Sequence, residues 1–156
     1  MMSRATTLLL LAVAIAPPAS GQAVRPAASA LTIGRLHYEG GGDWYANTTS
    51  LPNLLAAIEE RTALPTAGAE RVVRLADPDL WDVPYLYATG HGNIAFTDQE
   101  RATLRRWLMQ GGFLHVDDNY GLDASWRREV AKLFPDRPFV EVPLDPQSGW
   151  LPAFDA

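Results

Sequence analysis

The feature of this sequence that most constrains its fold is an alternation of short strand-like segments with longer helix-like ones. Apolar residues recur at helical spacing in three stretches, separated by short runs rich in Val, Tyr, Phe and Leu. The predicted order is strand 31–38, helix 50–62, strands 71–75 and 85–89, helix 97–110, strand 113–116, helix 123–134 and strand 138–142. Such an alternation, with short connections, predicts an α/β fold whose parallel sheet is covered by helices on both faces.

The connections between the predicted strands favour one strand order. A single helix links the first two strands, whereas the loop 76–84 joins the second strand to the third. We therefore expect a flavodoxin-like three-layer sandwich with strand order 2-1-3-4-5. Ser50 is expected to cap the first helix, and Thr97 with Glu100 forms a capping-box pattern at the start of the second.

The N-terminal residues have the pattern of an export signal. Arg4 provides a positive start, residues 8–16 are apolar, and small residues follow up to Ala23. We predict a signal peptide over residues 1–23, a flexible lead-in over 24–30, and a periplasmic or secreted mature protein. The apolar run is short for a bilayer span, so no transmembrane segment is expected after cleavage.

Composition excludes several kinds of chemistry. The chain has 13 Lys+Arg and 18 Asp+Glu, and loss of Arg4 leaves a net charge of about −6. Without a basic run, nucleic acid is not an expected partner. The chain has no cysteine, which excludes a cysteine nucleophile and a thiolate-bound metal and suits a bacterial periplasm.

Polar and glycine-rich segments follow three of the predicted strands. They are residues 37–45 after the first strand, 89–93 after the third and 117–121 after the fourth. Ligands of open α/β sheets bind outside the carboxyl ends of the strands, so these segments predict one site. Its expected ligand-binding residues are His37, Gly41, Gly42, Asp43, Trp44, Gly90, Gly92, Asn93, Asp118, Asn119 and Tyr120.

The titratable residues of this predicted site have different expected roles. We assign His91, between two glycines, and Asp117 as the catalytic candidates, whereas His115 is expected to be a hydrogen-bonded core histidine. Alternation along a strand would send Asp117 and Asp118 to opposite sides of the sheet, which argues against an acid–base dyad. Trp44 fits either a stacking wall for a flat ligand or a loop anchor.

Five longer motifs carry a resemblance to a known family. They are "GGGDWY", "TSLPNLL", "LYATGHGN", "GGFLHVDDNYG" and "SWRREVAKLFPD". In this order, over residues 31–145, they resemble the bacterial family called domain of unknown function 4159. The resemblance implies kinship with the class I glutamine amidotransferase-like and trehalose-utilisation-like flavodoxin folds. Amidotransferases use a Cys-His pair, so the absence of cysteine excludes that reaction here.

The chain departs from the family pattern near its C-terminus. Family members continue after the last strand with an Asp-His-Pro-Ile type stretch, whereas here Asp145 is followed by the divergent tail 146–156. We therefore expect a C-terminal truncation of the flavodoxin-like domain 31–145.

Three functions remain open on the sequence. The first is binding of a small polar ligand, such as a carbohydrate, in the cleft at the strand ends. The second is a hydrolase in which His91 is the general base and an aspartate orients it or holds a metal. The third is a non-catalytic interaction module of an envelope assembly. The pattern assigns no cofactor, metal or oligomeric state.

Overall fold

The computed structural model describes residues 30–143. Its strands are β1 Ile33–Leu36, β2 Arg71–Val73, β3 Tyr85–His91 and β4 Phe113–Tyr120, and its helices are α1 Ser50–Arg61, α2 Asp98–Met109 and α3 Asp123–Leu133. A 3-10 helix, Pro78–Asp82, lies in the loop between β2 and β3. The expected signal peptide and divergent tail, with nearly all of the lead-in, lie outside the described residues.

The sheet has the predicted parallel arrangement in its first four strands. Their order is β2-β1-β3-β4, and every pairing is parallel. Both β3 and β4 run further than the sequence predicts, to His91 and Tyr120, with a register shift between Gly90 and His91. The fold is thus α/β, with a parallel sheet flanked by helices as in a flavodoxin-like sandwich.

The expected fifth strand is the clear error of the sequence prediction. Residues 138–142 adopt no regular structure, and Val140 is 75% exposed. Phe139 lies against the guanidinium of Arg127 on α3, 4.9 Å from the ring centroid, rather than in the sheet. A short segment with β propensity forms a strand only when a neighbouring strand hydrogen-bonds to it. Here Phe139 packs on α3 instead.

The position of β4 at the end of the described sheet changes the environment of its residues. Phe113 is 59% exposed and Leu114 is only partly buried. His115 is exposed as well, so the prediction of a core histidine was wrong, although its Nδ1 does pair with the Tyr85 hydroxyl at 2.9 Å. The alternate β4 residues Phe113, His115 and Asp117 share the exposed face, because the α1 cluster among the described residues covers β1 and β3 but not β4.

Alternation along the strands divides the core between the two faces of the sheet. One face packs Ile33 and Tyr87 against Leu51 and Leu55 of α1. The opposite face is larger and packs strand residues against α2 and α3; its members include Leu36, Val73, Leu86, Ala88, Leu104, Trp107 and Leu133. Each fully buried Leu of this kind contributes about 1.5–3 kcal/mol to the free energy of unfolding.

Polar side chains lie at the helix starts, in one case as predicted. Thr97 and Glu100 form the expected capping box at α2. At α1 the N-cap is Thr49 rather than Ser50, because the Ser50 hydroxyl donates to the Asn47 carbonyl at 2.8 Å. Asp118 accepts from the backbone N–H of Leu122 at 2.8 Å and thereby fixes the chain entering α3.

No helix among residues 30–143 is long and apolar enough to cross a membrane.

Candidate functional site

The loops after β1 and β3 lie side by side at the carboxyl edge of the sheet. The Gly42 N–H donates to the Asn93 carbonyl at 2.9 Å, and the Ala95 N–H donates to the Glu39 carbonyl at 2.8 Å. The Gly92 N–H donates to the Tyr120 carbonyl of β4 at 3.0 Å. Three segments that are distant in sequence therefore form one continuous surface, as the strand order predicts.

The centre of this surface is a pair formed by Asp43 and His91. One carboxylate oxygen of Asp43 accepts from the backbone N–H of His91, and the other lies 2.9 Å from the ring Nδ1. In return the Asp43 N–H donates to the His91 carbonyl at 3.4 Å. The backbone hydrogen bond from His91, followed by the one from its ring, holds the pKa of Asp43 below the usual aspartate value.

This pairing determines which nitrogen of His91 carries the proton. An ionised carboxylate only accepts hydrogen bonds, so Nδ1 must be the donor, and in the neutral ring Nε2 is then an acceptor. The His91 side chain is 58% exposed, whereas that of Asp43 is 33% exposed. The arrangement thus presents an oriented proton acceptor to a ligand or to water. The two glycines that flank His91 suggest a ring without contacts, but the structure gives the ring a hydrogen bond to Asp43.

Two of the glycines are required because the Tyr38 hydroxyl lies directly beneath them. That hydroxyl donates to the Thr89 carbonyl at 3.0 Å, and burial, with Asp43 nearby, raises the pKa of Tyr38 to about 12. A Cβ on Gly42 would lie 2.8 Å from the hydroxyl, and one on Gly90 would overlap it. Gly90 also has a φ of +147°, which disfavours any side chain.

Asn93 holds the two loops together through both ends of its side chain. Its amide nitrogen donates to the Gly40 carbonyl at 2.8 Å, and its amide oxygen accepts from Arg128 of α3 at 3.1 Å. Both ends of the side chain predicted to bind a ligand are therefore used within the protein. Gly41, by contrast, has open space where a Cβ would project, and Gly92 lies against Gly42.

Aromatic residues flank the Asp43–His91 pair. Trp44 stacks on His37 with ring centroids 4.0 Å apart, which makes it an anchor of the loop. His37 Nε2 accepts from Arg74 at 2.8 Å, and partial burial together with that guanidinium lowers the pKa of His37. Tyr45 and Tyr120 are 60% and 81% exposed. These two rings, rather than Trp44, are free to cover a ligand.

The two aspartates at the end of β4 face opposite sides of the sheet, as predicted. Asp117 accepts from the Tyr87 hydroxyl at 2.9 Å on the α1 side, whereas Asp118 accepts the N–H groups at the start of α3. No hydrogen bond joins Asp117 to His91 in the described part of the chain. The aspartate that orients His91 is Asp43, because the glycine loop carries it onto the end of β3.

Asn119 lies between the predicted site and the start of α1. Its amide oxygen accepts from Asn47 at 3.0 Å and from Thr89 at 3.4 Å. Its amide nitrogen is buried and has no partner among the described atoms. Asn47 has a φ of +57°, a left-handed conformation that asparagine tolerates better than most residues.

The described residues limit the kind of metal chemistry available. Asp43 and His91 could supply two ligands, and a stable site needs at least a third. Between Ala30 and Pro143, no three His, Asp or Glu side chains come together in a metal-binding arrangement.

Sequence reasoning missed two residues that shape the site. Tyr38 supports the glycine turns from below, and Arg128 reaches Asn93 from α3. Tyr38 has a sequence signal, since it lies two residues beyond buried Leu36 and so shares its face. Arg128 has none, because its partner is 35 residues away on another element.

Comparison with known proteins places the chain in a family. No curated protein matches it. A family model described as "Domain of unknown function (DUF4159)" matches residues 32–147, a span that runs from β1 past α3 and includes every residue of the candidate site. The chain therefore belongs to this family, domain of unknown function 4159.

Proposed function

We propose that this domain binds a small polyhydroxylated ligand, of the carbohydrate class, at the carboxyl ends of β1, β3 and β4. The observation that carries the proposal is the Asp43–His91 pair. Asp43 accepts from Nδ1 at 2.9 Å, so Nε2 of the neutral ring is the hydrogen-bond acceptor of a side chain that is 58% exposed. A ligand hydroxyl is the natural donor to such a nitrogen.

The surroundings of the pair favour a hydroxylated ligand over a charged one. Asp43 is ionised, the Arg74 guanidinium is paired with Glu39, and that of Arg128 is paired with Glu129. Neither of these two cations is therefore left unpaired beside the site to attract an anion. Exposed Tyr45 and Tyr120 offer flat apolar rings with hydroxyls at their edges. Apolar ring faces beside a few fixed polar groups are the usual composition of a small-molecule site, and they suit a ligand that has both apolar faces and hydroxyl groups.

The predicted export signal is compatible with this function. We retain the proposal that the chain is exported and cleaved near Ala23, where it would meet periplasmic or extracellular saccharides. Mass spectrometry of the protein from the periplasmic fraction decides this, and recovery of the chain with Met1 attached would contradict it.

A second candidate function rests on the same pair. His91, oriented by Asp43, has the arrangement of a general base that removes a proton from water. In that case the domain would be a hydrolase whose nucleophile is a water molecule activated by His91, and the absence of cysteine excludes a thiol nucleophile. Hydrolysis of 4-nitrophenyl acetate and 4-nitrophenyl glycosides by wild type but not by His91→Ala would favour this function over simple binding.

The binding proposal is tested by two-dimensional NMR of the 15N-labelled protein titrated with neutral mono- and disaccharides. We expect the amide signals of Asp43, Tyr45, His91 and Tyr120 to move in wild type. His91→Ala should fold normally and lose the response, because surface substitutions usually change stability within about 0.5 kcal/mol. His115→Ala removes another exposed histidine, one that lies on β4 outside the Asp43 pair, and should retain it.

Two results would contradict the proposal. One is the absence of any movement of these signals at saccharide concentrations of tens of millimolar, on the order of the weakest useful affinities. The other is an equal loss of response in the two histidine variants, which would place the effect outside the Asp43–His91 pair.

A further inference from the structure

Arg128 connects α3 to the loops that carry the Asp43–His91 pair. Its Nη2 donates to the amide oxygen of Asn93 at 3.1 Å and to the carbonyl of Ile94 at 2.9 Å. Its Nε donates to Glu129 at 3.2 Å, a carboxylate whose side chain is only 2% exposed. Hydrogen bonds from both Nε and Nη2 restrict the rotation of the planar guanidinium and so fix its position.

This contact determines the orientation of the Asn93 amide. A guanidinium only donates hydrogen bonds, so the amide must turn its oxygen to Arg128. Its NH2 group then faces the Gly40 carbonyl, which only accepts, at 2.8 Å. Both contacts select the same orientation, because the flipped amide would place its oxygen against the Gly40 carbonyl and its NH2 group against the guanidinium. Without Arg128, only the Gly40 contact remains to set it.

The orientation of Asn93 is transmitted to the Asp43–His91 pair through the glycine loop. Asn93 holds Gly40 through its side chain and Gly42 through its backbone carbonyl, the latter at 2.9 Å. Asp43 is the next residue, and its carboxylate reaches His91 from this turn. Gly41, between the two anchor points, has nothing within 4 Å of an added Cβ, so the loop is held here by hydrogen bonds of its neighbours, two of which go to Asn93.

We infer that Arg128 is a positioning residue of the candidate site, acting through Asn93 and the glycine loop to hold Asp43 against His91. This inference rests on the proposed role of the Asp43–His91 pair. Arg128 itself touches neither residue of the pair, and no ligand needs to reach it. Its effect is on the geometry of the hydrogen bonds at His91.

The chain provides a matched pair of variants for the test. Arg128→Lys keeps the charge and removes the planar fork, since one ammonium cannot bond Glu129, Asn93 and the Ile94 carbonyl in the same geometry. Arg127→Lys makes the same change at the preceding residue and serves as the control. Arg127 is 58% exposed, forms an ion pair with Asp123, and has no hydrogen bond to the loops.

The measurement is the pKa of the Asp43 carboxyl, followed through its carbon resonance by NMR over a pH titration of the full chain without ligand. In wild type the hydrogen bonds from His91 hold this pKa below the usual value. In Arg128→Lys we expect it to rise toward the usual value and the Nδ1 proton signal of His91 to broaden. In Arg127→Lys both should stay as in wild type.

A purely structural role for Arg128 predicts a different result. A lower melting temperature with an unchanged Asp43 pKa in folded Arg128→Lys would overturn the inference. If Arg128→Lys does not fold, Asn93→Ala tests the same connection and leaves Arg128 with Glu129, and an unchanged Asp43 pKa there would overturn the inference equally. A shifted pKa together with no saccharide binding in wild type would contradict the proposed function and leave the role of Arg128 intact.

Discussion

Replacement of Glu129 by glutamine should destabilise the protein strongly, in a way that depends on pH. Glu129 is 1% exposed and lies on α3. Its carboxylate accepts from Arg101 and Lys132, each at 3.0 Å, and from Arg128 at 3.2 Å. Glutamine has nearly the same volume, so Glu129→Gln removes the charge and one acceptor oxygen without leaving a cavity.

The magnitude follows from the environment of the three cations. Removal of one member of a fully buried ion pair costs about 3–5 kcal/mol, because it leaves the partner charge uncompensated. Here Arg128 and Lys132 are nearly half exposed and water can solvate them, whereas Arg101 is 19% exposed and retains Asp98. We therefore expect a loss of about 2–3 kcal/mol, or about 8–12 °C in melting temperature for a domain of this size.

The pH dependence gives the sharper test. Burial alone would raise the pKa of Glu129, but hydrogen bonds from Lys132, Arg128 and Arg101 outweigh it and hold the pKa below the usual 4.5. A carboxyl whose pKa is lower in the folded state stabilises that state above the unfolded-state pKa. This contribution is lost as the pH falls through the folded-state pKa, because the carboxyl is then protonated in both states.

The assay is urea or thermal unfolding followed by circular dichroism at several pH values. The difference between wild type and Glu129→Gln should be full at about pH 7 and should shrink below about pH 4. Asp123→Asn is the control, since its exposed ion pair with Arg127 is worth at most about 1 kcal/mol. A difference that stays constant with pH, or that is below about 0.5 kcal/mol at neutral pH, would refute the electrostatic reasoning.

Two further predictions concern the turns and the core. Gly90→Ala should destabilise the protein by at least about 1 kcal/mol more than Gly41→Ala, as measured by urea unfolding. Both residues have positive φ, but only Gly90 lies against the Tyr38 hydroxyl. Equal losses of stability in the two variants would contradict this explanation. Leu86→Ala should cost about 2–5 kcal/mol at a fully buried site, whereas Leu114→Ala on the partly exposed β4 should cost less than about 2 kcal/mol. A larger loss at Leu114 in the same assay would mean that a further part of the chain covers β4.

Periodicity was sufficient to predict the layers of the fold, because the forces that set them are local. The alternation of β4 correctly separated Asp117 from Asp118, since successive side chains of a strand must point to opposite faces. The capping box was predictable for the same reason, because Thr97 and Glu100 lie within one turn of the helix. The segment 138–142 shows the limit of this reasoning, because a strand requires a neighbour that the local sequence does not specify.

The pairing within the site was not predictable in the same way. Asp43 and His91 are 48 residues apart, and their contact depends on backbone turns at Gly40, Gly41 and Gly90, all with positive φ. The sequence shows that such turns are permitted but not where they direct the next side chain. Sequence reasoning therefore placed the right loops at one edge of the sheet, but it assigned Asp43 to ligand binding and left open which aspartate orients His91.

The extension of the strands into the site gives the Asp43–His91 pair its rigidity. The sequence predicts β3 and β4 to end before the polar residues, yet β3 continues to His91 and pairs there with Tyr120 of β4. His91 is thus the last residue of a hydrogen-bonded strand, and the loop brings Asp43 to it. Side chains on helices and strands hold their geometry better than those on loops. The conformational entropy of His91 is therefore lost when the protein folds and not when a ligand binds. This is why we expect His91→Ala to remove a binding group while β3 and the backbone hydrogen bond from residue 91 to Asp43 stay in place.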